Sequence, residues 1–237
     1  MVAIQFDVKG FLETSFLEWP GRISSVIFLA GCNFRCPYCH NHPLVLAPAR
    51  LPTIPLESIL SFLGGHKDWI DGVVITGGEP TLYAALPSLV QQFKERGFRV
   101  KLDTNGSNPI LLKELLDNHL LDYVAMDIKA PLEENKYTMV AGVEVDLSRI
   151  NQSIQLLLDA DIPYEFRTTV LPLFVTREDV LAIARVIKGG KRYVLQNFNP
   201  QNPLDPRLKE EAPYQPAELE EIAQQLMDYI SHIQTIY

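Results

Sequence analysis

Cys32, Cys36 and Cys39 are the only cysteines in the chain, and all three fall within eight residues. An odd, clustered set makes a poor disulfide framework; such a cluster reads as a metal or catalytic site. With the spacing Cys-x3-Cys-x2-Cys, three thiolates can ligate three irons of a cubane [4Fe–4S] cluster. The fourth iron then stays open to a substrate, as a catalytic zinc keeps one open position. Zinc itself is the plainer alternative, because the cysteines with His40 or His42 make a tetrahedral set. Structural zinc sites usually draw on two separated knuckles, whereas every candidate here lies in one loop.

These cysteines need something to hold them. Six short apolar runs rich in β-branched residues predict buried strands at 23–30, 72–76, 98–103, 121–128, 163–171 and 192–198. Segments of helical spacing lie between and after them, at 56–63, 83–96, 109–119, 147–160, 177–188 and 216–235. Such alternation predicts a parallel α/β fold, either an open doubly wound sheet or a barrel-like one. The first 22 residues are expected to form an edge strand or hairpin with a turn at Pro20-Gly21. The stretch 199–216 carries five prolines and reads as a loop before the final helix, giving one domain over 1–237. The cysteine loop follows the first core strand, at the strand end where active sites of parallel α/β folds gather.

Composition narrows the function. A net charge of −8 disfavours a nucleic-acid partner. No apolar run reaches the roughly 18 residues that span a bilayer. The N-terminus lacks the features of a secretory signal, so the expected location is the cytoplasm.

The segment GCNFRCPYC (31–39) resembles the signature loop of the radical S-adenosylmethionine superfamily, including the aromatic Tyr38 before the last cysteine. That resemblance implies a [4Fe–4S] cluster on Cys32, Cys36 and Cys39 with S-adenosylmethionine on the open iron. Gly77-Gly78-Glu79-Pro80 is similar to the superfamily's second motif, which contacts the cofactor amino group. Paired glycines let the backbone approach a ligand closely; the plain reading is a Gly-Gly turn. Asp103-Thr104-Asn105-Gly106 matches a cofactor-contacting tetrad of activating enzymes, and its donors and acceptors suit ribose hydroxyls; the plain reading is an Asn-Gly turn.

Asp127 and Lys129 alternate along a strand. Lys129 is a candidate for the cofactor carboxylate, and Asp127 for joining Asp103 around a cation or ribose; the alternative is a surface ion pair. Glu165, Arg167 and Thr169 share one face of the next strand. There a Glu165–Arg167 structural pair competes with a cofactor-polarising role for Arg167. Gln196 is similarly placed on the sixth strand. His66, His119 and His232 fall in no motif.

The chain resembles activating proteins of anaerobic ribonucleoside-triphosphate reductase. The carrying segments are EWPGR (18–22), FLAGCNFRCPYCHNHPLV (28–45), VVITGGEPTL (73–82), DTNG (103–106), MDIKAP (126–131) and FRTTV (166–170). Glu18-Trp19 stands where that group often has an Asp-Tyr pair. The resemblance implies a partial (β/α)6 TIM-like barrel of mostly parallel strands with the cluster at its C-terminal mouth. It further implies reductive cleavage of S-adenosylmethionine to a 5′-deoxyadenosyl radical, which takes a hydrogen from a glycine of a glycyl-radical partner protein. The expected electron donor is a flavodoxin or ferredoxin. Three cysteines leave none for a second cluster. Two alternatives stand beside this reading: a radical enzyme acting on a small molecule, and a zinc-stabilised binding module without enzymatic activity.

Overall fold

The structure, a computed structural model, describes residues 6–237. Residues 1–5 of the expected N-terminal edge element lie outside the described residues. Among the described residues, eight strands follow one another in chain order through one mostly parallel sheet. The described residues divide into two compact units.

The first unit holds the described residues up to Asn33, with Asn41–Thr104 and Ile110–Val124. Its strands are β1 (Val8–Ser15), β2 (Ser24–Leu29), β3 (Gly72–Gly77) and β4 (Arg99–Thr104). β1 runs antiparallel to β2, with the turn at Pro20-Gly21 between them. β2, β3 and β4 pair in parallel. Helices α1 (His42–Leu46), α2 (Leu56–Gly65) and α3 (Leu86–Lys94) lie between them in sequence. Val26, Ile27, Val74, Ile75, Val100 and Leu102 are fully buried, and Leu86, Leu89, Val90 and Phe93 present a buried stripe from α3. Near-continuous apolar strands with both faces covered are what parallel pairing requires. Helix α4 (Pro109–Asp117) and strand β5 (Tyr123–Asp127) each have residues in both units.

The second unit holds Phe34–His40, Asn105–Pro109 and Ala125–Tyr237. It contains α5 (Glu134–Ala141), α6 (Leu147–Leu158), β6 (Tyr164–Val170), α7 (Arg177–Val186), β7 (Tyr193–Asn197), α8 (Pro216–Gln225) and β8 (Ile233–Ile236). β6, β7 and β8 pair in parallel. Thr176 and Asp179 form a reciprocal capping box that starts α7, and Asp146 caps α6.

The helix expected over 216–235 ends at Gln225. Leu226 and Ile230 remain buried in the turn that follows, so the helical stripe persists in sequence after the helix has stopped. Ile233–Ile236 is instead a strand, with Gln234 paired to Val194 of β7. The stretch 199–216 carries a 3-10 turn at Pro206–Glu210. No helix among the described residues is long and apolar enough to cross a membrane.

Candidate active site

In the first unit the sequence motifs meet at the end of β3. Gly78 N–H donates to the Leu29 carbonyl at 2.9 Å, and Glu79 N–H to the Gly31 carbonyl at 2.8 Å. A Cβ on Gly78 would lie 1.7 Å from the Gly31 oxygen and 3.2 Å from the Cys32 nitrogen. The close approach predicted for the paired glycines is therefore made to the chain's own cysteine loop. Asn41 Nδ2 donates to the Gly77 carbonyl at 3.0 Å, tying the far end of that loop to the same strand. Glu79 is buried, and its Oε1 accepts from Thr81 N–H at 3.0 Å, Thr81 Oγ1 at 2.6 Å and Thr104 Oγ1 at 2.7 Å. This carboxylate fastens the ends of β3 and β4 to each other. Asp103, also on β4, forms an ion pair with Lys101 at 3.0 Å.

In the second unit the cysteine-loop residues Phe34–His40 are clamped from two sides. Arg35 N–H donates to the Ala141 carbonyl at the end of α5, and Phe34 packs edge-on against Tyr137 of the same helix. Asp205 N–H donates to the Pro37 carbonyl at 2.8 Å, and His40 Nε2 lies 2.8 Å from the Asn199 carbonyl oxygen. The stretch 199–216 is thus strapped to the loop. Sequence reading assigned no element to 134–141, whose helical stripe is weak although Tyr137 is fully buried.

Asp127 accepts from Lys129 Nζ at 2.8 Å and from Arg167 Nε at 2.9 Å. The side chains of Lys129 and Arg167 are only 14% and 12% exposed, so this is no surface ion pair. Burial acts to raise the Asp127 carboxyl, but Arg167 and Lys129 outweigh it and hold it well below the usual carboxylate range. Burial acts to lower the Lys129 ammonium, but Asp127, Tyr38 and Cys36 outweigh it and hold it well above the ordinary lysine value. Glu165 and Arg167 both have partners distant in sequence: Glu165 pairs with Arg192 at 3.1 Å, at the N-terminal ends of β6 and β7, and Arg167 pairs with Asp127 at 2.9 Å. Gln196 is half-buried opposite Thr169. In the 103–106 tetrad, Asn105 Oδ1 accepts from Ser107 N–H at 3.0 Å, and Gly106 has φ +74 with its carbonyl held by Ser153 Oγ. Asp103 and Thr104 thus end β4, and Asn105-Gly106 makes the bend that leaves it.

The sequence profile of the Radical SAM superfamily matches residues 26–187. The chain belongs to the radical SAM superfamily. A relative from Methanocaldococcus jannaschii named "Putative glycyl-radical enzyme activating enzyme" is 35% identical over 95% of this chain and 94% of its own length. The 7-carboxy-7-deazaguanine synthase of Methanopyrus kandleri is 32% identical over 48% of this chain and 52% of its own length. Among solved structures, Streptococcus suis SuiB bound to precursor peptide SuiA aligns with a TM-score of 0.67 at 16% identity. That alignment covers 88% of this chain, which spans about half of SuiB (48%). The likeness shows the fold class, the mostly parallel α/β arrangement of the radical SAM partial barrel.

The residues present fit the cofactors of a radical SAM enzyme. The donor set is three thiols in one loop, with Cys36 buried and Cys32 and Cys39 half-buried. No group of three His, Cys, Asp or Glu side chains among the described residues gathers around a single metal ion. The cysteines therefore carry the cluster assignment by their pattern and superfamily. Tyr38 Oη, between two of them in sequence, is buried with no hydrogen-bond partner among the described residues. Lys129, Cys36, Asp127 and Tyr137 are its electrostatic neighbours. A buried hydroxyl without a partner is uncommon and points to a bound group. Two cations also converge on the one carboxylate of Asp127.

Proposed function

We propose that this radical SAM protein is a glycyl-radical activating enzyme, with Cys32, Cys36 and Cys39 holding a [4Fe–4S] cluster that binds S-adenosylmethionine. The observation that carries the reading is the 35% identity, over nearly the full length of both chains, to a relative named for that activity. When bound, the reduced cluster and S-adenosylmethionine supply one-electron cleavage of a carbon–sulfur bond and a carbon-centred radical that abstracts a hydrogen atom.

The chain's own residues bind, orient and exclude water. Gly78 locks the start of the cysteine loop onto β3. Glu79 fixes the ends of β3 and β4, and with Gly77 and Gly78 it forms the candidate contact for the cofactor's ammonium. Asp103, Thr104 and Asn105 offer acceptors and donors to its ribose. Lys129 and Arg167, held by Asp127, offer the positive charge its carboxylate needs. Tyr38 offers a buried hydroxyl. Positioning of this kind makes electron transfer local and keeps a reactive radical from solvent. The partner in this reading is a protein with a reactive glycine, and the electron source is a small carrier such as flavodoxin or ferredoxin.

The test is anaerobic reconstitution with iron and sulfide, reduction, and assay of 5′-deoxyadenosine, with Cys36→Ala as control. Electron paramagnetic resonance then follows a candidate glycyl-radical protein. Cofactor cleavage with a partner-borne glycyl radical is the expected result. Cleavage coupled only to turnover of a free metabolite moves the small-molecule reading ahead. Uptake of zinc without sulfide overturns both.

A further inference from the structure

Lys101 is a lysine in the middle of a strand with only 1% of its side chain exposed. A buried ammonium is expensive unless it is paired and hydrogen-bonded. Here its Nζ donates to the Glu18 carbonyl at 2.5 Å, lies 3.0 Å from Asp103 Oδ1, and sits 5.7 Å from the centre of the Tyr123 ring. The Glu18 carbonyl belongs to a turn fixed by Ser15, whose Oγ accepts from Leu17 N–H at 3.2 Å and Glu18 N–H at 3.3 Å. Trp19, next in the chain, packs on Tyr123 at 6.1 Å. One ammonium therefore joins the hairpin turn to the functional end of β4.

Replacing a buried ion pair by apolar residues is often neutral or stabilising. A strand that keeps Lys and Asp two residues apart in its core is thus not explained by stability alone. It is explained if Asp103 must be a carboxylate in a fixed place, with Lys101 as the countercharge that makes it tolerable there. We propose that Lys101 is the positioning residue for Asp103, setting its carboxylate for S-adenosylmethionine; this rests on the reading of Asp103 as a cofactor contact. Lys101 does not itself touch the cofactor. It acts through Asp103.

The test is a double-mutant cycle on the reconstituted holoenzyme: wild type, Lys101→Met, Asp103→Asn and the double variant. S-adenosylmethionine affinity is read by equilibrium dialysis and folding by thermal melting. Coupled residues are non-additive in such a cycle. Each single variant is expected to lose affinity about 10-fold, in line with a lost charge-assisted contact. The double variant should bind no worse than Asp103→Asn alone. Lys101→Met with wild-type affinity, or losses that multiply in the double variant, overturns the proposal while leaving Asp103 as a contact. Undiminished affinity in Asp103→Asn overturns the reading of Asp103 and the proposal with it. If Lys101→Met does not fold, Lys101→Gln replaces it in the cycle, and the same outcomes decide.

Discussion

Gly78 and Gly31 touch so closely that a Cβ on Gly78 would sit 1.7 Å from the Gly31 carbonyl oxygen. The obstacle is backbone, which cannot swing aside as a side-chain tip can. Gly78→Ala is expected to cost about 3–5 kcal/mol or to push Gly31 and Cys32 off β3. Iron and sulfide content after reconstitution, beside a melting curve, checks this: a stable variant with full cluster loading contradicts it.

Gly106 makes a useful contrast. Its Cβ would meet Met126 Cε at 2.1 Å, the far end of a flexible side chain, and its φ is +74. Gly106→Ala should cost only about 1–2 kcal/mol, chiefly from the left-handed backbone. Denaturant midpoints of the two alanine variants should rank Gly106 well above Gly78.

Tyr38→Phe removes a buried hydroxyl that has no partner among the described residues. Without ligand, the variant should be as stable as wild type or up to about 1–2 kcal/mol more so, because an unsatisfied group has gone. Affinity for S-adenosylmethionine should fall several-fold. A loss of stability in the ligand-free protein with no change in affinity is the opposite pattern and would make Tyr38 structural.

The pH response of the Lys129–Asp127–Arg167 cluster has a definite sign. A carboxyl held below its ordinary value near 3.9 stabilises the fold above that pH and loses the effect only as pH falls through its lower folded value. A lysine held above about 10.4 stabilises below that pH and loses the effect as pH rises through its higher folded value. Between about pH 5 and 9 the cluster is fully charged, and its contribution is flat. Asp127→Asn should destabilise by a constant amount across that window. Some solvent contact remains, so about 2 kcal/mol is expected rather than the full cost of a broken buried pair. A difference that titrates near neutral pH contradicts the assignment.

His40→Ala removes the link between His40 Nε2 and the Asn199 carbonyl. The melting temperature should barely move, since His40 is exposed. Limited proteolysis within 199–212 should accelerate, because a tie to the cysteine loop has gone. Unchanged cleavage would mean that the remaining ties, Asp205–Pro37 among them, hold the strap.

The six core strands were legible because buried parallel strands need continuous apolar runs, and 23–30 or 72–76 have little other use for theirs. What a one-dimensional pattern omits is partners. Alternation put Glu165 and Arg167 on one strand, but it could not point to their partners Arg192 and Asp127, which are distant in sequence. The glycine pair was legible as a close approach, but not that the approach would be to Gly31. Lys101 left a signal, a lysine inside the run FRVKLD, that local spacing could not pair with Glu18, 83 residues away. The end of α8 was hidden because Leu226 and Ile230 continue the stripe from a turn, while the alternation of Ile233–Ile236 is too short to stand out.

Asp127 serves two cations at once, through different oxygens: Oδ2 faces Lys129 and Oδ1 faces Arg167. In the proposed function, an arriving anion can therefore draw one cation toward itself while the other stays bonded to Asp127. Neither the carboxylate nor either cation is stranded in a low-dielectric interior during the exchange. The site can trade a contact without passing through an isolated charge, so docking and release of an anionic ligand need not carry that electrostatic barrier.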